Sequence, residues 1–313
     1  MIGAVDIGGT KIAVGIVDEQ GRVLSRLESP TDAKRGFPNA LDRIGKMLRQ
    51  CAQEAGVEIS GIGIGSTGPV YPLTGTFGDV DFLPGWDGAN IVRPLGEDFK
   101  VLVALENDAD AAALAEASWG AGRSKRRLIY ITVGTGIGVA LVLDGRLYRG
   151  VDDAHPEMGH HVIDPSGPLC SCGFKGCWES LAAGPAMVGW LLGQVPLDYP
   201  HRANLTAKRI CELALEGDKL ASRAVERETY YLGLGLANLT TLFAPDSIVL
   251  GGNVMKSASL FLEGIRDIIR RSCRYVPFEK TELVLASLGE DANLIGAARV
   301  WQHQYGHGGQ RAS

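Results

Sequence analysis

The chain of 313 residues is long enough for one large domain or two medium ones, and its 45% hydrophobic content is ample for cores. A formal net charge of −5 argues against a nucleic-acid binder, which would carry a basic face. The start, "MIGAVDIGGT", has no basic n-region and no long apolar run, and no later stretch reads as a membrane span, so the expected compartment is the cytoplasm.

Residues 2–7, 12–18 and 22–29 read as three short strands, with "VDEQGR" turning between the second and third. Residues 38–55 carry helical periodicity, and "GIGIGS" at 61–66 reads as a buried strand. A Gly- and Pro-rich loop runs from Thr67 to Trp86. A helix (88–98), a strand (101–106) and a helix (110–119) follow, with Asp110 expected as an N-cap.

The pattern then restarts. "VDIGGTKIAVGIVDEQG" aligns with "ITVGTGIGVALVLDG" at one constant offset, so that Asp6 falls on Thr132, Gly8 on Gly134 and Asp18 on Asp144. We read this as an internal duplication. Helices near 205–216 and 219–243, a strand at 247–252, a helix at 258–273, a strand at 282–287 and a helix at 290–303 complete the chain. Two similar halves of mixed strands and helices imply two α/β domains with a cleft between them. The polar, glycine-rich tail after His303 is expected to be loose.

"DIGGTK" (6–11) and "TVGTGIG" (132–138) each follow an apolar strand. Glycines at such turns let backbone N–H groups approach an anion, and the hydroxyls of Thr10, Thr132 and Thr135 add donors. Asp6 at a strand end suits Mg²⁺, which prefers oxygen ligands. A third turn, "LGGNV" (250–254), suits packing against a base or ribose. Neither of the first two turns is a Walker A loop or a dinucleotide-binding G-x-G-x-x-G.

Of the six cysteines, Cys51, Cys211 and Cys273 are scattered and read as small apolar residues. Cys170, Cys172 and Cys177 cluster in "HPEMGHHVIDPSGPLCSCGFKGCWES" (155–180). With His160 they make a Cys₃His set, which fits a closed tetrahedral structural Zn²⁺. Gly173 and Gly176 permit the sharp bends such a loop needs.

Together, "DIGGTK", "ENDADAAALAE", "TVGTGIG", the cysteine-rich segment and "IVLGGNV" resemble the ROK family of sugar kinases. The resemblance runs from Asp6 to Ala298. It implies the two-lobed, actin-like (ribonuclease H-like) ATPase fold, α/β in class, with duplicated βββαβα units around an interlobe cleft. The expected lobes are a small N-terminal one, 1–107, completed by the helix 290–303, and a large one, 108–289, holding the zinc loop 155–180. The family also contains repressors with an N-terminal helix-turn-helix. This chain begins at its first strand, so none is expected.

The resemblance further implies site roles. Asp108 becomes the general base, and Asn107 and Gly68 contact the sugar with Glu157, His160 and Glu179. Asp6, Gly8, Gly9, Thr10, Lys11, Thr132, Gly134, Thr135, Gly136 and Gly138 handle Mg²⁺ and the ATP phosphates. Gly251 and Gly252 lie near the adenosine. The family's E-x-G-H pattern selects His160 rather than His161 as the zinc ligand, leaving His155 and His161 as ordinary polar residues. Phe82 stands where many family glucokinases have a sugar-contacting Asn before "LPGW". Glucose leads as substrate, with N-acetylmannosamine and N-acetylglucosamine open. A non-catalytic sugar-sensing regulator is the alternative of another class. The implied partners are a hexose and a nucleotide, in a homodimer with no nucleic acid or membrane.

Overall fold

The computed structural model describes residues 1–306. The chain divides into two compact units. The first comprises Met1–Arg126, Ala140–Pro156 and the chain from Ala286; the second comprises Arg127–Val139 and Glu157–Leu285.

The chain opens with β1 (Ile2–Ile7), β2 (Lys11–Val17) and β3 (Val23–Pro30), then α1 (Phe37–Ala55) and β4 (Gly61–Ser66). A small hairpin, β5 (Val70–Tyr71) and β6 (Thr76–Phe77), precedes α2 (Val92–Phe99), β7 (Val103–Asn107) and α3 (Asp108–Trp119). The sheet order is β3-β2-β1-β4-β7. β1 runs antiparallel to β2 and parallel to β4, which is parallel to β7.

One face of this sheet packs on α1 through Val5, Ile12, Val14, Ile44 and Leu48, all fully buried. Phe77 and Trp86 close that core edge-to-face, their rings 5.2 Å apart. The other face meets the last helix, α9 (Ala292–Tyr305), through Ala4, Ala13, Leu294, Ala297 and Ala298. Small residues there bring helix and strand close. A Cβ at Gly63 would overlap the Ala297 carbonyl.

The second sheet contains β8 (Arg127–Val133), β9 (Ile137–Leu143), β10 (Arg146–Leu147), β11 (Ser247–Gly251) and β12 (Glu282–Leu285). Its order, β10-β9-β8-β11-β12, repeats that of the first sheet strand for strand. β2 and β9 stand at the constant offset read in the sequence, which confirms the duplication.

The second unit adds α4 (Trp178–Ala182), α5 (Gly184–Gln194), α6 (Ala207–Leu215), α7 (Lys219–Phe243) and α8 (Leu262–Ser272). α4 and α5 were not expected. Pro185 stands in the first turn of α5, where its missing N–H costs nothing. The helix expected at 258–273 is shorter, because Val254–Leu260 winds as an interrupted 3-10 stretch. The last helix continues past His303 to Tyr305, so Gln304 and Tyr305 are helical and not loose as expected; the rest of the expected tail, residues 307–313, lies outside the described residues.

Candidate functional site

Each unit holds its own half of the expected constellation. In the first, Asp6 lies on β1 next to the turn that leads into β2. The turn is closed by Gly8 N–H donating to Lys11 O at 2.9 Å, and Thr31 Oγ1 donates to Gly8 O at 2.6 Å. Asp6 is partly buried, between the fully buried Val5 and Ile7. Burial, then the neighbouring Asp108 carboxylate, raises its pKa to about 7, against Lys11, Asn293 and Arg26, which lower it. A cation at this position would offset both effects. Thr10 is exposed, and Lys11 Nζ sits 3.1 Å from Glu28. The Phe82 side chain lies against Gly9, where an added Cβ would come within 2.7 Å of it. Gly68 falls between β4 and β5, directly before Pro69.

Asn107 and Asp108 stand where β7 ends and α3 begins. The expected N-cap, Asp110, is not the cap. Asn107 is: its Oδ1 accepts from Ala109 N–H at 2.8 Å. Asp108 Oδ1 accepts from the same N–H at 2.7 Å, which holds this carboxylate at the helix N-terminus.

Asp110 is only 1% exposed and does something else. Its Oδ2 lies 2.6 Å from Arg149 Nη1 and 2.6 Å from His155 Nδ1. Arg149 Nη2 also reaches Glu106 Oε2 at 2.5 Å. Burial pushes Glu106 up to about 7 although Arg149 pulls it down. His155, expected to be an ordinary polar residue, is therefore part of a buried ion network. Its partner lies 45 residues away, and no local spacing signals such a contact.

In the second unit, Thr132 lies near the end of β8, Gly134, Thr135 and Gly136 make the turn, and Gly138 follows in β9. Gly134 N–H donates to Gly136 O, and Gly184 N–H to Gly134 O, both at 2.9 Å. Glu179 Oε2 accepts from Ile137 N–H at 2.9 Å, and a Cβ at Gly136 would strike that carboxylate. Glu179 thus braces the glycine turn. Its Oε1 lies 4.0 Å from His160 Nε2. Gly251 ends β11, and Gly252, at φ 91°, backs against Val133, so the third turn adjoins the end of β8.

The ligand atoms of His160, Cys170, Cys172 and Cys177 all lie within 4.8 Å of one another. Cys170 Sγ is 3.4 Å from His160 Nδ1, and Cys172 Sγ is 3.4 Å from Cys177 Sγ. With metal–ligand bonds of about 2.0–2.3 Å, a tetrahedral edge is about 3.3–3.8 Å, so the set fits Zn²⁺. Gly173 and Gly176 take φ of 90° and 74°, as the tight loop requires. Burial and the neighbouring thiols push Cys177 up to about 12, a penalty that a divalent cation among them would remove. His161 turns elsewhere: its Nδ1 meets Met158 O and its ring packs edge-on to Trp178. Glu157 is exposed, at the start of the 3-10 turn that carries His160.

Residues 2–304 match the family model of the ROK family. The chain belongs to the ROK family. A glucokinase of Streptomyces coelicolor is 35% identical, over 94% of this chain and 95% of that protein. The crystal structure of the ROK hexokinase from Thermus thermophilus superposes with a TM-score of 0.84 at 37% identity, covering 96% of this chain and 97% of that one. A ROK family glucokinase from Streptomyces griseus, solved in complex with glucose and AMPPNP, gives a TM-score of 0.81 at 32% identity over 95% of this chain and 97% of that one. The fold of this ROK chain is accordingly the actin-like ATPase fold. No helix among its described residues is long and apolar enough to cross a membrane.

Proposed function

We propose that this ROK protein is a hexose kinase that transfers the γ-phosphoryl group of ATP to the 6-hydroxyl of an aldohexose, with glucose the leading substrate. The observation that carries this reading is the pair Asn107–Asp108 at the start of α3, with Asp6 in the electrostatic field of Asp108. It is supported by relatives named glucokinase over nearly the whole chain and by a relative solved with glucose and AMPPNP.

In this reading Asp108 accepts the proton of the attacking hydroxyl. A carboxylate of ordinary basicity suffices, because the hydroxyl becomes acidic only late in a loose transition state. Asn107 spends its Oδ1 on the helix cap, which leaves its amide NH₂ to donate to a neighbouring sugar oxygen. Gly68, Glu157, His160 and Glu179 complete the sugar contacts. The backbone N–H groups of Gly8, Gly9, Gly134, Gly136 and Gly138, with the hydroxyls of Thr10, Thr132 and Thr135 and the Lys11 ammonium, hold the phosphates, and Gly251 and Gly252 line the adenosine. Asp6 holds Mg²⁺, which neutralises charge on the phosphates. The Cys₃His set holds a structural Zn²⁺ that keeps His160 and, through it, Glu179 in register with the glycine turn. A cytoplasmic homodimer is the proposed form.

A coupled ADP-release assay across glucose, mannose, fructose and the N-acetylhexosamines, with a no-sugar control, tests the reading. ADP release that requires a hexose, fastest with glucose, is the expected result. ADP release independent of sugar, or none with any sugar, refutes it; preference for an N-acetylhexosamine corrects the substrate alone.

A further inference from the structure

We propose that the first unit carries a binding site for a small oxyanion of the phosphomonoester class, in the cavity between α9 and the β10 hairpin. The cavity measures about 1530 Å³, and Arg146, Arg149, Arg299, His303, Ser118 and Trp119 are among its lining residues. That is room for an anion with a sugar-sized body. The proposal does not depend on which sugar the kinase phosphorylates.

The argument starts from charge that has no answer. Arg299 and His303 lie four residues apart on α9, hence on one face. Arg299 Nε donates to Ser118 Oγ at 2.7 Å, and no carboxylate pairs with Arg299 among the described residues. Burial lowers the pKa of Arg299, and no acid among the described residues restores it. Arg146, exposed on β10, likewise has no acidic partner among the described residues. A partly desolvated guanidinium without a counter-ion is unfavourable, and a bound anion relieves it.

The same region is sensed by His303. Burial first, then Arg299, Arg149 and Arg146, push its pKa down to about 4. Every charge acting on this imidazole is positive. The acids of the cavity wall are in part committed elsewhere: Glu106 pairs with Arg149, and Asp144 with Arg126. Glu19 and Asp153 also line the cavity, but neither acts on His303. Two guanidinium groups without an acid among the described residues, Arg146 and Arg299, line one volume and match a tetrahedral oxyanion better than a neutral ligand. Inorganic phosphate and a hexose 6-phosphate both belong to this class.

Titration calorimetry on the full chain tests this, with hexose and a non-hydrolysable ATP analogue saturating so that the kinase site is filled. Inorganic phosphate and a hexose 6-phosphate are titrated in parallel, which separates the free ion from the sugar ester. Binding of at least one is expected, weakened about tenfold or more in Arg299→Met and in Arg146→Ala. Arg146 is exposed, so Arg146→Ala decides the matter if Arg299→Met fails to fold. In a second measurement, the proton NMR resonance of His303, assigned by its loss in His303→Gln, is titrated in chloride and in sulfate at matched ionic strength. A rise of about one pKa unit or more in sulfate is expected. No anion binding to the saturated wild-type protein, or equal binding by both variants, overturns the proposal, as does a His303 titration that is the same in the two salts.

Discussion

Asp108 acts on Asp6: with burial as the larger cause, its carboxylate helps raise the Asp6 pKa to about 7. Asp6 on β1 and Asp108 at the start of α3 share one field, which makes a natural cation position, and each carries its own expectation.

For Asp6, the folded pKa lies above the unfolded value of 3.8. The stability tied to this group is therefore complete below 3.8 and is lost as pH rises through about 7. In metal-free buffer at pH 8, Asp6→Asn is expected to be more stable than wild type, by up to about 4 kcal/mol, while losing kinase activity. Urea denaturation at pH 5 and pH 8 checks this. A variant that is no more stable than wild type at pH 8 contradicts it.

For Asp108, the substitution Asp108→Asn keeps the acceptor oxygen for Ala109 N–H and so should fold normally. It is expected to lower kcat by about 10²- to 10⁴-fold with little change in sugar affinity, as loss of a general base does. Turnover near wild type would remove Asp108 from that role.

The zinc loop predicts about one zinc per chain by elemental analysis. Cys177 is fully buried in that loop. Cys177→Ala, or prolonged chelation, should release the metal, lower Tm and raise the sugar KM, because His160 and Glu179 are held through the same loop. A verified metal-free sample with unchanged Tm and KM would refute the role.

Asp110 answers both Arg149 and His155 from a site that is almost wholly buried. Asp110→Ala leaves Arg149 with Glu106 alone and is expected to cost about 3–5 kcal/mol in unfolding free energy. A loss under about 1 kcal/mol would show that the network contributes little.

Glu228 on α7 is fully buried, and neither carboxylate oxygen has a hydrogen-bond partner among the described residues. Burial raises its pKa to about 8 from 4.5. Folded protein thus holds the proton longer than unfolded chain, and stability falls as pH rises from 4.5 to about 8. Glu228→Gln should flatten that slope in a pH series of thermal melts. An identical slope in variant and wild type would show that Glu228 titrates normally.

Much of this was legible in the chain because the governing signals are local. The duplicated strand pattern appears as a constant offset, and its two sheets follow the same strand order. The Cys₃His set sits within eighteen residues, so one loop brings it together. Other assignments failed at short range. Asn107 outcompetes Asp110 as the cap because β7 runs up to Asn107 and leaves Asp110 inside the first turn, facing Arg149. Phe82 looked like a missing sugar contact, and the structure also lays it against Gly9.

By itself the sequence determined the two α/β halves, their glycine turns, the Cys₃His loop and the carboxylates on offer, since strand periodicity, turn residues and thiol spacing act over a few residues. Only the tertiary structure decided which charges face one another. Arg149 meets Glu106 and Asp110, Glu179 braces Ile137, and Arg299 finds no acid among the described residues, because such pairings depend on where distant segments are buried together. Burial, by stripping water from those groups, sets both their pKa values and what each can bind.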